Sequence, residues 1–243
     1  MLEWIARGLR KGVVTTRYPH RPEPAPDGFR GAIDVIATQG ADEQLADLCP
    51  TGAIQVRDGE VAVDEARCIL CGACVRAAPD RFGFRAAYET AVAANQAPPP
   101  LGDRALPLRR SVHVRHVDAG SDGAEEWEIA ALTNPYYDMQ RLGLHFTVSP
   151  RHADVLLVTG AVTHSMREPL LRAYELMGEP RAVVAAGTDA CSGGLAAPAG
   201  ETGAGVGRVL PVDVYVPGSP PAPISLLRGL LLAAGIVRAE AAA

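Results

Sequence analysis

The stretch that decides the fold is residues 48–79, LCPTGAIQVRDGEVAVDEARCILCGACVRAAP. Three of its cysteines follow the C-x2-C-x2-C spacing of an iron–sulfur loop: Cys68, Cys71 and Cys74. Such a loop ordinarily continues with three residues, a fourth cysteine and a proline. Here the proline is present, but the residue before it is Ala78. The stretch therefore predicts a cluster site whose fourth ligand lies elsewhere in the chain.

The Cys49-Pro50 pair is the expected source of that ligand. In two-cluster ferredoxins the last cysteine of each run binds the other cluster, so this cluster should use the Cys-Pro of the preceding run. Counting back from Cys49 by the same spacing gives the other positions of the companion cluster: Leu45, Asp42 and Gln39. Together with Ala78, all four companion positions lack cysteine. We predict one [4Fe-4S] cluster on four thiolates, with a tetrahedral zinc site as the alternative.

The composition is that of a soluble globular protein. The 243 residues carry a net charge of -5, and 48% of them are apolar, so nothing indicates a nucleic-acid partner. No apolar run reaches the roughly 18 residues of a membrane span, and Arg7, Arg10 and Lys11 interrupt any signal-peptide core. We therefore expect no transmembrane segment and a reducing compartment in which disulfides are rare. The glycines at 203–207 lack the strand–turn–helix context of a nucleotide site.

The chain divides at a proline-rich linker, 95–108. Before it we predict an amphipathic basic helix at 2–11, a hairpin at 55–63 turning at Asp58-Gly59, and a helical stretch near 85–95. After it, apolar strands alternate with helices, which indicates an α/β sheet. The apolar segment 224–237 is predicted to be a buried helix. Ligands of such sheets bind in loops beyond the strand ends, which directs attention to the loops at 118–125, 187–194 and 216–221.

The first half resembles a known family. Residues 9–31, LRKGVVTTRYPHRPEPAPDGFRG, followed by the cysteine region, are similar to the two-cluster ferredoxin subunit of formate hydrogenlyase and complex I. The resemblance covers roughly 1–95. It implies a ferredoxin-like α+β domain over 1–94 that carries electrons at the periphery of a membrane complex. In that family the N-terminal helix lies beside the membrane arm.

The second half resembles a different family, the small subunit of energy-converting [NiFe]-hydrogenases and its complex I homologue of PSST type. Four blocks occur in the order of that family: VDAGSDGAEEWEIAAL, SPRHADVLLVTGAVT, GTDACSGG and PVDVYVPGSPP. The resemblance implies a flavodoxin-like α/β domain over 109–243, beside a hydrogenase-large-subunit-like partner and membrane-arm subunits. It implies a peripheral position on the cytoplasmic face of the membrane.

The same family binds a [4Fe-4S] cluster in three of these blocks, and its cysteines map onto other residues here. The four positions are Asp122, Glu125, Asp189 and Ser219. Cys191 lies two residues beyond the third position and cannot hold a cluster alone. We therefore predict that this second cluster is absent. The acidic pocket would then be refilled by water and salt bridges, hold a hard cation, or relay protons.

Two functions follow from these expectations. The first is electron transfer through the one cluster within a complex-I-like or hydrogenase-like membrane-associated complex. The second is a structural connector of an ion-translocating complex, in which redox function is lost and the cluster is structural or sensory. No Ser/His/Asp or Cys/His catalytic arrangement is recognisable, so the chain has no complete active site of its own.

Overall fold

A computed structural model describes residues 3–94, 111–199 and 204–237. The predicted linker at 95–108 lies outside these ranges. The α-helices within them are α1 (Glu3–Lys11), α2 (Ala73–Ala77), α3 (Ala124–Ala131), α4 (His164–Glu175), α5 (Thr188–Ser192) and α6 (Pro223–Ala233). The strands are β1 (Ala32–Val35), β2 (Ile54–Arg57), β3 (Glu60–Val63), β4 (Phe82–Arg85), β5 (Val92–Ala93), β6 (Val112–Asp118), β7 (Leu144–Phe146), β8 (Val155–Thr159), β9 (Ala182–Ala186) and β10 (Val214–Val216).

The second half is built on a six-stranded sheet in the order β5-β10-β9-β8-β6-β7. Every neighbouring pair is parallel except β5 with β10. The five parallel strands therefore follow the order 2-1-3-4-5, one of the two common doubly wound orders. All residues of β8 and β9 are buried, as expected for central strands covered on both faces. The predicted α/β class is confirmed.

Helix α6 covers one face of this sheet. All of its residues except Arg228 are buried, and its leucines join the larger apolar cluster with strand residues such as Val114 and Val184. The predicted buried helix is confirmed. Arg228 is accommodated because Glu89 lies 3.1 Å from its guanidinium, which pairs a charge that burial alone would disfavour.

The first half has two small antiparallel sheets, β1–β4 and β2–β3. Strands β2 and β3 form the predicted hairpin, with Arg57 opposite Glu60. Its turn residues, Asp58 and Gly59, have φ values of 52° and 75°, which is the backbone of a two-residue hairpin turn. Both sheets contribute to a separate, smaller apolar cluster, which also includes Cys49, Cys68 and Cys74.

The predicted helix near 85–95 is wrong. Residues 82–85 form β4, and Val92–Ala93 form β5, which pairs with β10 through Val214 and Tyr215. The competing interaction is a strand pairing more than 100 residues away in sequence, and it overrides the local helical tendency of the alanines. Residues from the cysteine-bearing half thus extend the sheet of the second half.

The segment after α1 lies across the second half. The Thr16 amide donates to the Tyr136 carbonyl at 2.8 Å, and Arg141 donates to the carbonyls of Thr16 and Tyr18 at 2.8 and 2.7 Å. Tyr18 is buried. Helix α1 itself has no buried residue, so its apolar side chains remain exposed. Within the described ranges, no helix is long and apolar enough to cross a membrane.

Candidate iron–sulfur site

Short helical turns position the four cysteines of the predicted site. Cys49 ends a 3₁₀ helix at Glu43–Leu48, and Cys68 ends another at Glu65–Arg67. Cys71 lies in the loop that follows, and Cys74 lies in α2. All four line one solvent-open cavity, together with apolar residues that include Ile33, Ile54 and Val63. Cys71 is the exposed member, and the other three are half-buried.

The loop between Cys68 and Cys74 adopts a strained backbone. Leu70 has a φ of 54° and Gly72 has a φ of 69°, both in the left-handed region that costs a non-glycine residue about 1 kcal/mol. With this backbone, the Leu70 amide donates to Cys68 Sγ at 3.4 Å. On the other side of the cavity the Ala53 amide donates to Cys49 Sγ at 3.2 Å. Hydrogen bonds to sulfur are a means by which proteins tune iron–sulfur clusters.

The thiols differ in their acidity. Burial would raise the pKa of Cys49, but hydrogen bonds with Thr51 and with backbone amides outweigh it and lower the pKa. Burial raises the pKa of Cys68 to about 11 and also raises that of Cys74. Charges on the other cysteines act in the same direction on both groups, which shows that the four thiols are close enough to interact.

The donor set fits an iron–sulfur cluster. Four soft thiols surround a cavity with apolar walls and amide donors, and thiolate is the ligand that such clusters use. Among the residues in the described ranges, no group of three or more His, Cys, Asp or Glu side chains is placed to hold a metal ion.

Protein contacts occupy the companion positions. Leu45 and Ala78 pack into the same apolar cluster as the cysteines. Asp42 caps the 3₁₀ helix by accepting the Gln44 amide at 3.0 Å. The loop before it is held by Arg81, whose guanidinium donates to three backbone carbonyls at 2.7–3.4 Å: those of Ala37, Gln39 and Gly40. These positions now belong to the packing and hydrogen bonding of the fold.

The acidic positions of the second half lie close together. Glu125 is buried and accepts the Ser121 hydroxyl at 3.2 Å. A β-carbon on Gly187 would lie 2.4 Å from Glu125 Oε1, so the carboxylate fills the space beside the loop that carries Asp189. Burial, and then the charges of Asp122 and Asp189, raise the pKa of Glu125. Asp122 and Asp189 are therefore near enough to Glu125 to affect the pKa of its carboxyl group.

Ser219 lies in the third loop of this group, before a cis peptide bond to Pro220. The Gly218 carbonyl accepts the Thr188 amide at 2.8 Å, which ties this loop to the one bearing Asp189.

Thr188 connects the two predicted sites, and no sequence pattern identifies it. Its hydroxyl donates to the Cys68 carbonyl at 2.9 Å and approaches the Gly218 carbonyl at 3.2 Å. A small cavity beside this contact is lined by residues of both halves, among them Cys68, Leu70 and Pro217. The cysteine site is therefore the direct neighbour of the acidic pocket.

Comparison with known proteins places these features in a family. The family described as "NADH ubiquinone oxidoreductase, 20 Kd subunit" matches residues 123–233 of this chain. The family described as "4Fe-4S single cluster domain of Ferredoxin I" matches residues 63–106. A probable membrane-bound hydrogenase subunit mbhJ of Pyrococcus furiosus is 43% identical over 126 residues, covering 52% of this chain and 75% of the relative. The chain belongs to the family of the 20 kDa subunit of NADH:ubiquinone oxidoreductase.

A formate hydrogenlyase subunit and a chain of a solved membrane complex are also similar to part of this chain. Formate hydrogenlyase subunit 7 of Escherichia coli is 41% identical over 130 residues, which are 54% of this chain and 51% of the relative. The chain thus spans about half the length of that relative. A chain in the structure of an archaeal membrane-bound sulfane sulfur reductase matches 52% of this chain and 73% of its own length, with 27% identity and a TM-score of 0.46. That score is too low to establish a shared fold.

Replacing Glu125 with glutamine should stabilise the protein at alkaline pH. The pKa of Glu125 is raised in the folded state, so stability is lost as pH rises through that pKa and the buried group ionises. A neutral amide removes this loss. We expect Tm at pH 8 to rise by about 2–4 °C, corresponding to about 1 kcal/mol for a chain of this size, with little change at pH 4.

The exposed Glu168, which pairs with Arg172 on α4 at 2.9 Å, provides the matched control. Glu168→Gln should change Tm very little at either pH, because exposed pairs contribute little. A fall in Tm at pH 8 but not at pH 4 for Glu125→Gln would show instead that the charged carboxylate makes a stabilising contact.

Proposed function

We propose that the chain is the iron–sulfur subunit of a complex-I-like or energy-converting-hydrogenase-like membrane-associated complex. In this proposal it carries one [4Fe-4S] cluster, held by Cys49, Cys68, Cys71 and Cys74, for electron transfer. The observation that supports this best is that the four cysteines, which the ligand-exchange rule selects from two separate segments, line a single cavity. The match of residues 63–106 to a single-cluster ferredoxin domain agrees with it.

The cluster would exchange single electrons, and the residues around it would hold it and tune its reduction potential. The four thiolates would hold it, and the amides of Ala53 and Leu70 would stabilise charge on the sulfurs. The apolar wall would exclude water from most of the site. Cys71, the exposed ligand, would present the edge nearest to a partner.

The proposal of a single cluster rests on what has replaced the cysteines elsewhere. Leu45, Ala78 and Asp42 take part in packing and capping at the companion position. At the other position the buried Glu125 occupies space beside Gly187. Carboxylate and hydroxyl oxygens are poor substitutes for thiolates at an iron–sulfur cluster.

We also propose a ferredoxin-like domain over 1–94, a linker over 95–108 and a flavodoxin-like domain over 109–243. The 2-1-3-4-5 order of the parallel strands supports the second assignment. The β1–β4 and β2–β3 sheets around the cysteines support the first. The hydrogen bond from Thr188 to the Cys68 carbonyl indicates that the two domains act as one unit.

The proposed setting is the cytoplasmic face of a membrane, with a hydrogenase-large-subunit-like protein and membrane-arm subunits as partners. Helix α1 supports a peripheral position. Trp4 and Leu9 are 72% and 81% exposed, and Arg7, Arg10 and Lys11 supply positive charge on the same helix. Basic amphipathic helices of this composition lie at membrane surfaces or against partner subunits.

The second candidate function is a structural connector without electron flow. It is favoured by the acidic residues Asp122, Glu125 and Asp189, which stand where the resembled family has cluster cysteines. Within the described residues, the proposed cluster would then have no second cluster to exchange electrons with. In that case the cluster would hold the hairpin and α2 together or respond to redox conditions. The two candidate functions share the same fold and assembly. They differ in whether the cluster is oxidised and reduced during turnover of the complex.

Electron paramagnetic resonance on the anaerobically purified complex separates the two. The sample is reduced in graded steps, and a second set is frozen at intervals after substrate is added. An electron carrier should show a cluster signal that appears on reduction and changes during turnover. A signal that stays constant throughout turnover would contradict electron transfer and favour the connector.

A further inference from the structure

The Thr51 hydroxyl lies between two groups that cannot both receive its hydrogen. It is 2.6 Å from the Arg67 carbonyl and 3.4 Å from Cys49 Sγ. Arg67 directly precedes Cys68 in the chain. This one side chain therefore connects two of the proposed cluster ligands that are 19 positions apart in the sequence.

Counting hydrogens shows that the arrangement depends on the state of the sulfur. A threonine hydroxyl has one hydrogen to donate and two lone pairs. When Cys49 is a protonated thiol, its hydrogen can be donated to Thr51 Oγ1 while the hydroxyl donates to the Arg67 carbonyl. A metal-bound cysteine is a thiolate and has no hydrogen. If the hydroxyl then kept its bond to Arg67, two acceptors would face each other at 3.4 Å.

The thiolate is the stronger acceptor of the two. Hydrogen bonds to an ionised group are about twice as strong as those between neutral groups. The Arg67 carbonyl is at an exposed position, so water can replace the hydroxyl there at little cost. Cys49 Sγ is half-buried, and backbone amides, among them that of Ala53 at 3.2 Å, already donate to it, so the hydroxyl would complete a set of donors around the sulfur.

We propose that Thr51 is a positioning residue that tunes the cluster: when Cys49 is a cluster-bound thiolate, the hydroxyl turns from the Arg67 carbonyl and donates to Cys49 Sγ. This inference rests on the proposed function, because it requires the cluster. Reduction adds negative charge to the cluster and its sulfurs. A donor at Cys49 stabilises the reduced state more than the oxidised state and so raises the midpoint potential.

The test compares three variants by redox titration monitored by electron paramagnetic resonance. Thr51→Val removes the hydroxyl with little change in shape and should lower the midpoint potential. We expect roughly a tenfold change in the reduction equilibrium, which is about 59 mV for one electron. Thr51→Ser keeps the hydroxyl and should restore the wild-type potential. Thr133→Val removes an exposed hydroxyl that donates to the Ala130 carbonyl at 2.9 Å, and it should have no effect.

Iron and sulfide analysis of the same samples separates the two levels of the proposal. A wild-type protein without iron and sulfide would overturn the proposed function and this inference together. A fully loaded Thr51→Val protein with an unchanged potential would overturn only the inference, because the hydroxyl would then have stayed on Arg67. Loss of the cluster from Thr51→Val and from a fourth variant, Thr51→Ala, would also overturn it, since four cysteines remain and the hydroxyl is inferred to tune the cluster, not to hold it.

Discussion

Replacing Cys49 with alanine is expected to abolish the [4Fe-4S] signal of the reduced protein. Cys49 is the only one of the four proposed ligands that lies before the hairpin, and no other described cysteine lines its cavity beyond Cys68, Cys71 and Cys74. Three thiolates cannot complete the usual set of four. We expect the iron bound per chain to fall severalfold relative to the wild type, measured by metal analysis and by the spectrum of the dithionite-reduced protein.

Cys191 provides the matched control for this prediction. It packs in the apolar cluster on the opposite side of the sheet from α6, and its thiol approaches the Ala185 carbonyl at 3.6 Å. Burial raises the pKa of this thiol well above its ordinary value, as for a structural cysteine. Cys191→Ala should keep the wild-type iron content. If the two variants lost iron equally, the assignment of Cys49 as the fourth ligand would be wrong.

Replacing Gly160 with alanine destabilises the second half by about 3 kcal/mol or more. Gly160 ends β8 with a φ of 79°, and a β-carbon there would lie 2.3 Å from the Ser121 amide nitrogen. A left-handed backbone costs an alanine about 1–2 kcal/mol, and a collision with backbone in a packed core costs about 1–3 kcal/mol. The loop that must move carries Asp122. Denaturant unfolding of the two proteins measures the difference.

Gly178 is the matched control, because a β-carbon there meets nothing within 4 Å. Gly178→Ala should change the free energy of unfolding by only a few tenths of a kcal/mol. Equal effects of the two substitutions would show that the close approach of Gly160 to Ser121 does not constrain the fold.

Local sequence patterns were enough to predict several elements. Alternating apolar residues around Asp58-Gly59 encode the hairpin, since only a tight turn with positive φ joins strands so closely. The leucines and alanines within 224–237 encode a helix, α6, that is buried except at Arg228. The spacing of the cysteines, with Cys49-Pro50 before them, predicted four side chains around one cavity, and the structure brings them there.

Interactions between distant segments were not predictable in the same way. Strand β5 forms because it pairs with β10. No sequence pattern around Val92 predicts this pairing. The segment around Tyr18 is held by Arg141, more than 120 positions away. Thr188 and Thr51 are ordinary threonines in sequence, and their roles come from carbonyl groups that only the tertiary fold places beside them.

We propose that the chain holds one [4Fe-4S] cluster and no second one. Iron and acid-labile sulfide, measured per chain on anaerobically purified protein, distinguish one cluster from two. We expect about four iron and about four sulfide per chain, with a single cluster signal on reduction. About eight iron per chain would contradict the assignment of the substituted positions as vacant. Zinc at about one per chain without sulfide would contradict the cluster itself.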